Sequence, residues 1–182
     1  MKKLLLLTAF AGITFFVNAQ STTYHAFKVD IGLGYAIPSA GNGGGTKAGV
    51  TFAVEPHYRL SDDLAVGFRF EGAGLGYQDV TAGSTKTHVS LLTSYCPSIE
   101  YYFAKTGFRP FGDAGAGIFS QQAVSGSNGN VVLAASASSF GFFPRVGFEA
   151  GHFRMAAAYN VVGHNASYAA FSIGVFFGGG KK

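Results

Sequence analysis

Between residues 50 and 58 hydrophobic and polar positions alternate: Val50, Phe52, Val54, Pro56 and Tyr58 share one face, Thr51, Ala53, Glu55 and His57 the other. A repeat of two puts successive side chains on opposite faces of an extended chain, so the segment reads as a β-strand. The same period runs through residues 27–37, 64–70, 89–103, 140–150, 153–161 and 169–177. Residues 108–119 follow it less cleanly, because Phe111 and Phe119 fall out of the apolar phase of Phe108, Pro110, Ala114, Ala116 and Ile118, beside Arg109 and Asp113. Counted as the fifth, that segment brings the total to eight strands. Past Glu71 the third strand changes phase, since Leu75 and Tyr77 are apolar where polar residues are due. A bulge or the strand end is expected among Gly72, Gly74 and Gly76.

Connections alternate in length. Residues 39–46, 78–87 and 121–139 are long, whereas 61–63, 104–107 and Gly151 are short turns; 163–166 is brief although it falls on the long side. An even number of roughly ten-residue strands, with long loops on one rim and short turns on the other, is the signature of a bacterial transmembrane barrel. Residues 155–180 lack Asp, Glu, Lys and Arg, yet Asn160, Gly163, His164 and Asn165 interrupt them, so two strands joined by a turn are expected there rather than a spanning helix.

The N-terminus has a different character. Lys2 and Lys3 precede an uncharged, largely apolar run over 4–17, followed by Val17-Asn18-Ala19, which has the form of a signal-peptidase site. The run is shorter than the ~20 residues that cross hydrocarbon as a helix. Residues 1–19 are therefore expected to be a removed signal peptide and 20–182 an outer-membrane β-barrel domain. Removing two lysines leaves 11 basic against 9 acidic residues, a balance of +2, and no basic run offers a nucleic-acid footprint.

Alternation cannot say which face is outside. A soluble barrel hides its apolar face, and a membrane barrel reverses the arrangement. Charged residues make up only 12% of the chain, about half the usual share, beside 27 Gly and 28 Phe plus Tyr. The charges of the strands fall in the polar phase: Lys28, Asp30, Glu55, Arg59, Arg69, Glu71, Glu100, Arg109, Asp113, Arg145, Glu149 and Arg154, six basic and six acidic, among Gly, Ala and Ser. A neutral set spaced by small residues suits a crowded lumen, where charges must be paired. The apolar phase carries no charge, as lipid contact demands, and aromatics such as Tyr35, Tyr58, Tyr101, Phe103, Phe108, Phe140 and Phe153 gather near strand ends like headgroup girdles. The competing arrangement is a secreted soluble sandwich or barrel, with the apolar phase as its core.

The alternating strands, the inward charges and segments such as Arg109-Pro110-Phe111-Gly112 and residues 171–177 resemble the small eight-stranded outer-membrane barrels of the OmpX and OmpA type and the opacity-protein relatives. The resemblance implies an all-β, antiparallel, up-and-down transmembrane barrel with both termini in the periplasm, located in the outer membrane. It also implies a mostly plugged lumen and roles from envelope structure to adhesion and, in a few branches, lipid modification. In that family the closing strand ends in an aromatic residue read by the barrel assembly machinery. Here Phe177 is that residue, but Gly178 to Lys182 overhang it.

Catalytic signals are sparse. His88-Val89-Ser90 resembles the His-x-Ser arrangement of barrel-shaped lipid A deacylases, but both side chains fall in the inward phase and the next carboxylate, Glu100, is about a barrel's height away. His164 and Ser167 form a second candidate without an acidic neighbour. Gly32-Leu33-Gly34 and Gly72 to Gly76 open no helix, so they are strand glycines rather than phosphate loops. His57 between Glu55 and Arg59 reads as part of the charge network rather than a metal site, Cys96 as small-residue packing, and the Asn165-Ala166-Ser167 sequon carries no weight in a bacterial-type export. The expectation is a non-enzymatic barrel with a structural or surface-interaction role, without cofactor or metal and acting as a monomer. Its partners are outer-membrane lipids, the assembly machinery and a possible extracellular partner at residues 121–139. A lipid A-modifying enzyme and a small-solute porin are the alternatives.

Overall fold

The structure, a computed structural model, describes residues 24–39, 46–81, 84–127, 130–133, 137–163 and 166–182. The expected signal peptide and the His164–Asn165 pair lie outside these residues. Strands β1 (Phe27–Pro38), β2 (Thr46–Arg59), β3 (Leu64–Thr81), β4 (Ser84–Tyr102), β5 (Arg109–Ser127), β7 (Ala137–Ala150), β8 (Phe153–Val162) and β9 (Tyr168–Gly178) make the wall; β6 (Asn130–Leu133) is a short strand. Their order is β4-β3-β2-β1-β9-β8-β7-β5, every neighbour antiparallel, and a β4–β5 ladder closes the ring. The eight-stranded barrel therefore has no free edge of the kind that templates aggregation. Among the described residues β6 pairs with the end of β5, on the edge that β7 pairs along further down.

Short turns at residues 60–63, 103–108 and 151–152 share one rim with Tyr24, the first described residue, and with the C-terminal segment. Left-handed glycines serve two of them, Gly107 (φ 68°) and Gly151 (φ 61°). The opposite rim differs from the sequence expectation in two places. Residues 78–81 and 84–87 are strand rather than loop: β3 and β4 stay paired from Leu64↔Tyr101 to Thr81↔Ser84. Residues 121–139 are largely a hairpin extension, in which β5 continues to Ser127 and turns back as β6. Thr and Val near these strand ends favour extended backbone, and an unbroken ladder satisfies the backbone groups without help from a loop.

The expected bulge or strand end among Gly72, Gly74 and Gly76 is corrected as well. β3 passes through all three, and Ala73 and Leu75 continue its inward face. The irregularity is on β2 instead, where Lys47 pairs with Gly76 and Val50 with Gly74, so β2 carries one extra residue. A β-carbon at Gly49 would collide with the Gly74 carbonyl, and glycine permits that close approach.

The tail after Phe177 is built into the barrel. Gly178 and Gly179 adopt left-handed backbone (φ 74° and 59°), Gly179 N–H donates to the Phe27 carbonyl (2.8 Å), and His25 N–H donates to the Gly180 carbonyl (2.9 Å). A final bridge joins Tyr24 to Lys181.

The two faces of the wall are opposite in chemistry. Large apolar side chains point outward, with Phe52 50%, Leu91 39% and Ile173 53% exposed, and so do the aromatics near strand ends, including Tyr35, Phe103, Phe108 and Phe140. Lys28, Glu55, Arg69 and Glu149 are all at least 95% buried inside.

Candidate functional site

The lumen is filled in layers. All twelve strand charges singled out in the sequence line it and are buried. Nearest the termini, the Glu149 carboxylate on β7 accepts hydrogen bonds from Lys28 Nζ (2.5 Å), Arg109 Nη2 (2.5 Å) and Arg154 Nη1 (2.6 Å). Glu100 on β4 takes Arg154 Nη2 and the Tyr102 hydroxyl, with Lys28 Nζ at 3.4 Å. Arg59 approaches Glu149 only to 3.9 Å.

In the middle layer Arg145 donates to both oxygens of Glu55 (2.5 and 2.6 Å) and to Asp113. His57 Nε2 lies 3.0 Å from Asp30 Oδ2 and 3.4 Å from Glu55 Oε2. Toward the far rim, Arg69 donates to Asn160 Oδ1 (2.5 Å) and pairs with Glu71 at 3.5 Å, and the Tyr168 hydroxyl donates to Glu71. Beyond them the interior turns apolar, with Leu75, Leu92, Phe119, Val162 and Ala166 packed together.

The filling is thus larger and more aromatic than the Gly, Ala and Ser expected between the charges. Guanidiniums rest on ring faces: Arg69 on Phe143 (3.5 Å to the centroid), Arg154 on Phe111 (3.8 Å) and Arg59 on Tyr102 (4.4 Å). In a desolvated site such a contact contributes about 2 kcal/mol, so rings replace part of the hydration the cations lose. Asn160, Tyr102, Tyr168, Phe143 and Tyr24 were absent from the sequence-derived set. Phase was the available signal for three of them, because Tyr102 follows Glu100 by two, Phe143 precedes Arg145 by two and Asn160 shares the phase of Arg154.

Asp30, Glu55 and His57 place possible ligand atoms within 4.8 Å of one another, which raises the question of a metal. The donor set fits one poorly. Arg145 already holds both Glu55 oxygens, and Lys28 Nζ lies 3.2 Å from Asp30 Oδ2. A cavity of about 30 Å³, lined by Asp30, Glu55, Arg69, Glu71, Arg145 and Arg154, has room for one or two water molecules.

The nucleophile candidates separate. Ser90 Oγ accepts from Gln121 Nε2 (3.1 Å), while the His88 side chain lies outside the described residues. Ser167 Oγ accepts from Val162 N–H (3.0 Å) and donates to the Val162 carbonyl (3.2 Å), fastening the β8–β9 turn. Cys96 is buried in the apolar cluster. On the outer wall an apolar groove of about 570 Å³ lies between Leu33, Val146, Met155, Phe171 and Ile173.

No family model matches the chain, and no curated protein matches it. Solved structures do. The outer membrane protein OprG from Pseudomonas aeruginosa is 12% identical with a TM-score of 0.56, over 88% of this chain and 100% of that one. Ail, the attachment invasion locus protein of Yersinia pestis, is 14% identical with a TM-score of 0.50, over 85% of this chain and 99% of that one. The N-terminal β-barrel domain of Pseudomonas aeruginosa OprF is 16% identical over 85% of this chain and 99% of that one, with a TM-score of 0.47. At these identities the likeness is one of fold: the chain is an all-β, closed, eight-stranded antiparallel barrel of the outer-membrane type.

Proposed function

We propose that the chain is a non-enzymatic outer-membrane barrel with a structural or surface-interaction role, its termini in the periplasm and its lumen closed to ions. One observation carries the reading: the wall turns Phe, Leu, Ile and Val outward while Lys, Arg, Asp and Glu are buried inside. In water this arrangement would expose the greasy face and bury the charges. In hydrocarbon each face meets its proper surroundings.

Closure is supported by the layered filling, because an ion entering the lumen would have to break charge pairs and displace the apolar cluster at the far rim. Outer-membrane lipids then serve as the solvent of the wall. The assembly machinery reads the β9 end despite the overhang, and the region 121–139 is the surface offered to an extracellular partner. The test is single-channel recording of the refolded barrel in a planar bilayer. Silence is expected, and a large steady current would replace the closed lumen with a small-solute pore.

A further inference from the structure

The least satisfied group in the described lumen lies at the terminal end. Arg59 is fully buried, yet Nε, Nη1 and Nη2 have no hydrogen-bond partner, and Arg109, also buried, has an unpartnered Nη1. Glu149 cannot serve all its neighbours. Lys28, Arg109 and Arg154 occupy its oxygens at 2.5–2.6 Å and leave Arg59 at 3.9 Å.

Both guanidiniums stack on the same two rings. Arg59 lies 4.8 Å from the Tyr24 centroid and 4.4 Å from that of Tyr102; Arg109 lies 4.6 Å and 5.0 Å from them. Ring contacts attract a guanidinium without accepting its in-plane N–H groups. Those groups are the fork that binds planar or tetrahedral oxyanions.

Charge points the same way. The ion-paired group at this end holds Lys28, Arg59, Arg109 and Arg154 against Asp30, Glu100 and Glu149, four positive to three negative. The remaining Lys, Arg, Asp and Glu of the strands, Arg69 and Arg145 against Glu55, Glu71 and Asp113, are two to three, with His57 between Asp30 and Glu55 as a further partner of the carboxylates. The surplus of guanidinium and ammonium over carboxylate thus lies in the group at the Tyr24 end of the lumen.

We propose that Arg59 and Arg109 form an oxyanion site at the terminal mouth of the barrel, for a phosphate or carboxylate group, covered by Tyr24. Tyr24 is buried and is held by the ladder of His25 to Gly180 and the bridge to Lys181, a segment the left-handed Gly178 and Gly179 bring alongside β1. Displacing this short segment uncovers both guanidiniums. Assigning the ligand to the periplasm rests on the orientation proposed above; the chemistry of the site does not.

The test is a titration of the refolded chain in detergent micelles with inorganic phosphate and, separately, acetate, following the arginine Nε–H signals by NMR. The two anions distinguish a phosphoryl from a carboxylate source. Saturable shifts of the Arg59 and Arg109 signals are expected with at least one of them. Arg59→Gln weakens the binding by about tenfold or more, as loss of a charged hydrogen-bond donor pair requires, and Arg59→Lys weakens it less. Tyr24→Ala, which removes the cover together with one of the two rings against the guanidiniums, leaves the barrel folded by heat-dependent gel mobility and strengthens binding. If neither anion gives a saturable shift in the parent chain or in Tyr24→Ala, the site is overturned, whether or not Arg59→Gln folds. A barrel that conducts ions yet binds phosphate would remove the closed lumen and keep this site; a silent barrel that binds neither anion would do the reverse.

Discussion

Arg145 on β7 grips Glu55 on β2 through two hydrogen bonds of 2.5 and 2.6 Å, and these two strands stand four places apart in the ring of eight, directly across the lumen. The pair therefore acts as a strut between opposite walls. Its weight is increased by the ladder itself, which sets Asp30 opposite Glu55 and Glu100 opposite Asp113, like charges on neighbouring strands that repel. Cations relieve both pairs: Arg145 reaches Glu55 across the lumen and Asp113 on the adjoining strand, where the two are register partners, and Arg154 reaches Glu100.

Removing one end of the strut leaves a buried charge without its partner. Glu55→Gln and Arg145→Gln each lower stability by about 3–5 kcal/mol. The double variant loses less than the sum, with a coupling on the order of 1–3 kcal/mol. Urea unfolding of the barrel in lipid vesicles measures all three; additive losses would remove the strut.

Gly67 makes room for the His57 ring. A β-carbon there would lie 2.6 Å from His57 Nδ1. Gly67→Ala is expected to cost about 1–3 kcal/mol by overpacking. The loss shrinks in the His57→Ala background, where the ring is absent. An equal loss in both backgrounds in the same unfolding assay would show that His57 is not the obstacle.

Ser167 joins β8 to β9 through Val162, and Ser90 is paired with Gln121. Ser167→Ala is expected to lower stability by about 1 kcal/mol. Neither Ser167→Ala nor Ser90→Ala changes the lipid A of expressing cells in a mass profile. Acyl chains lost on expression of the parent and restored in either variant would establish the enzyme reading.

How far the sequence reveals this molecule depends on the range of the interaction concerned. Alternation is local, so the wall strands and the grouping of Lys28, Glu55, Arg69 and Glu149 on one face were legible from period two, while their inward placement followed from the scarcity of charge and the charge-free apolar phase. The bulge was misplaced because a register slip belongs to a pair of strands: the glycines of β3 drew attention, while the extra residue sits on β2 around Gly49. Leu75 looked like a lost phase because the lumen was taken to be polar throughout, whereas its far end is apolar. Which charge meets which across the ring, as Arg145 meets Glu55 and Arg69 meets Asn160, depends on strand tilt and closure, and no spacing along the chain encodes it. Tyr24 lies outside any alternating run, so its place over Arg59 and Arg109 could be seen only in three dimensions.

The central claim is that the apolar face of the wall meets lipid. It is tested most directly by spin labels placed singly at Ile173 and Val146, in a Cys96→Ser background that removes the one native thiol. With the barrel in lipid bilayers, both labels are predicted to be open to molecular oxygen dissolved in the hydrocarbon and shielded from a water-soluble nickel chelate. Labels that collide freely with the chelate and are protected from oxygen would contradict the account.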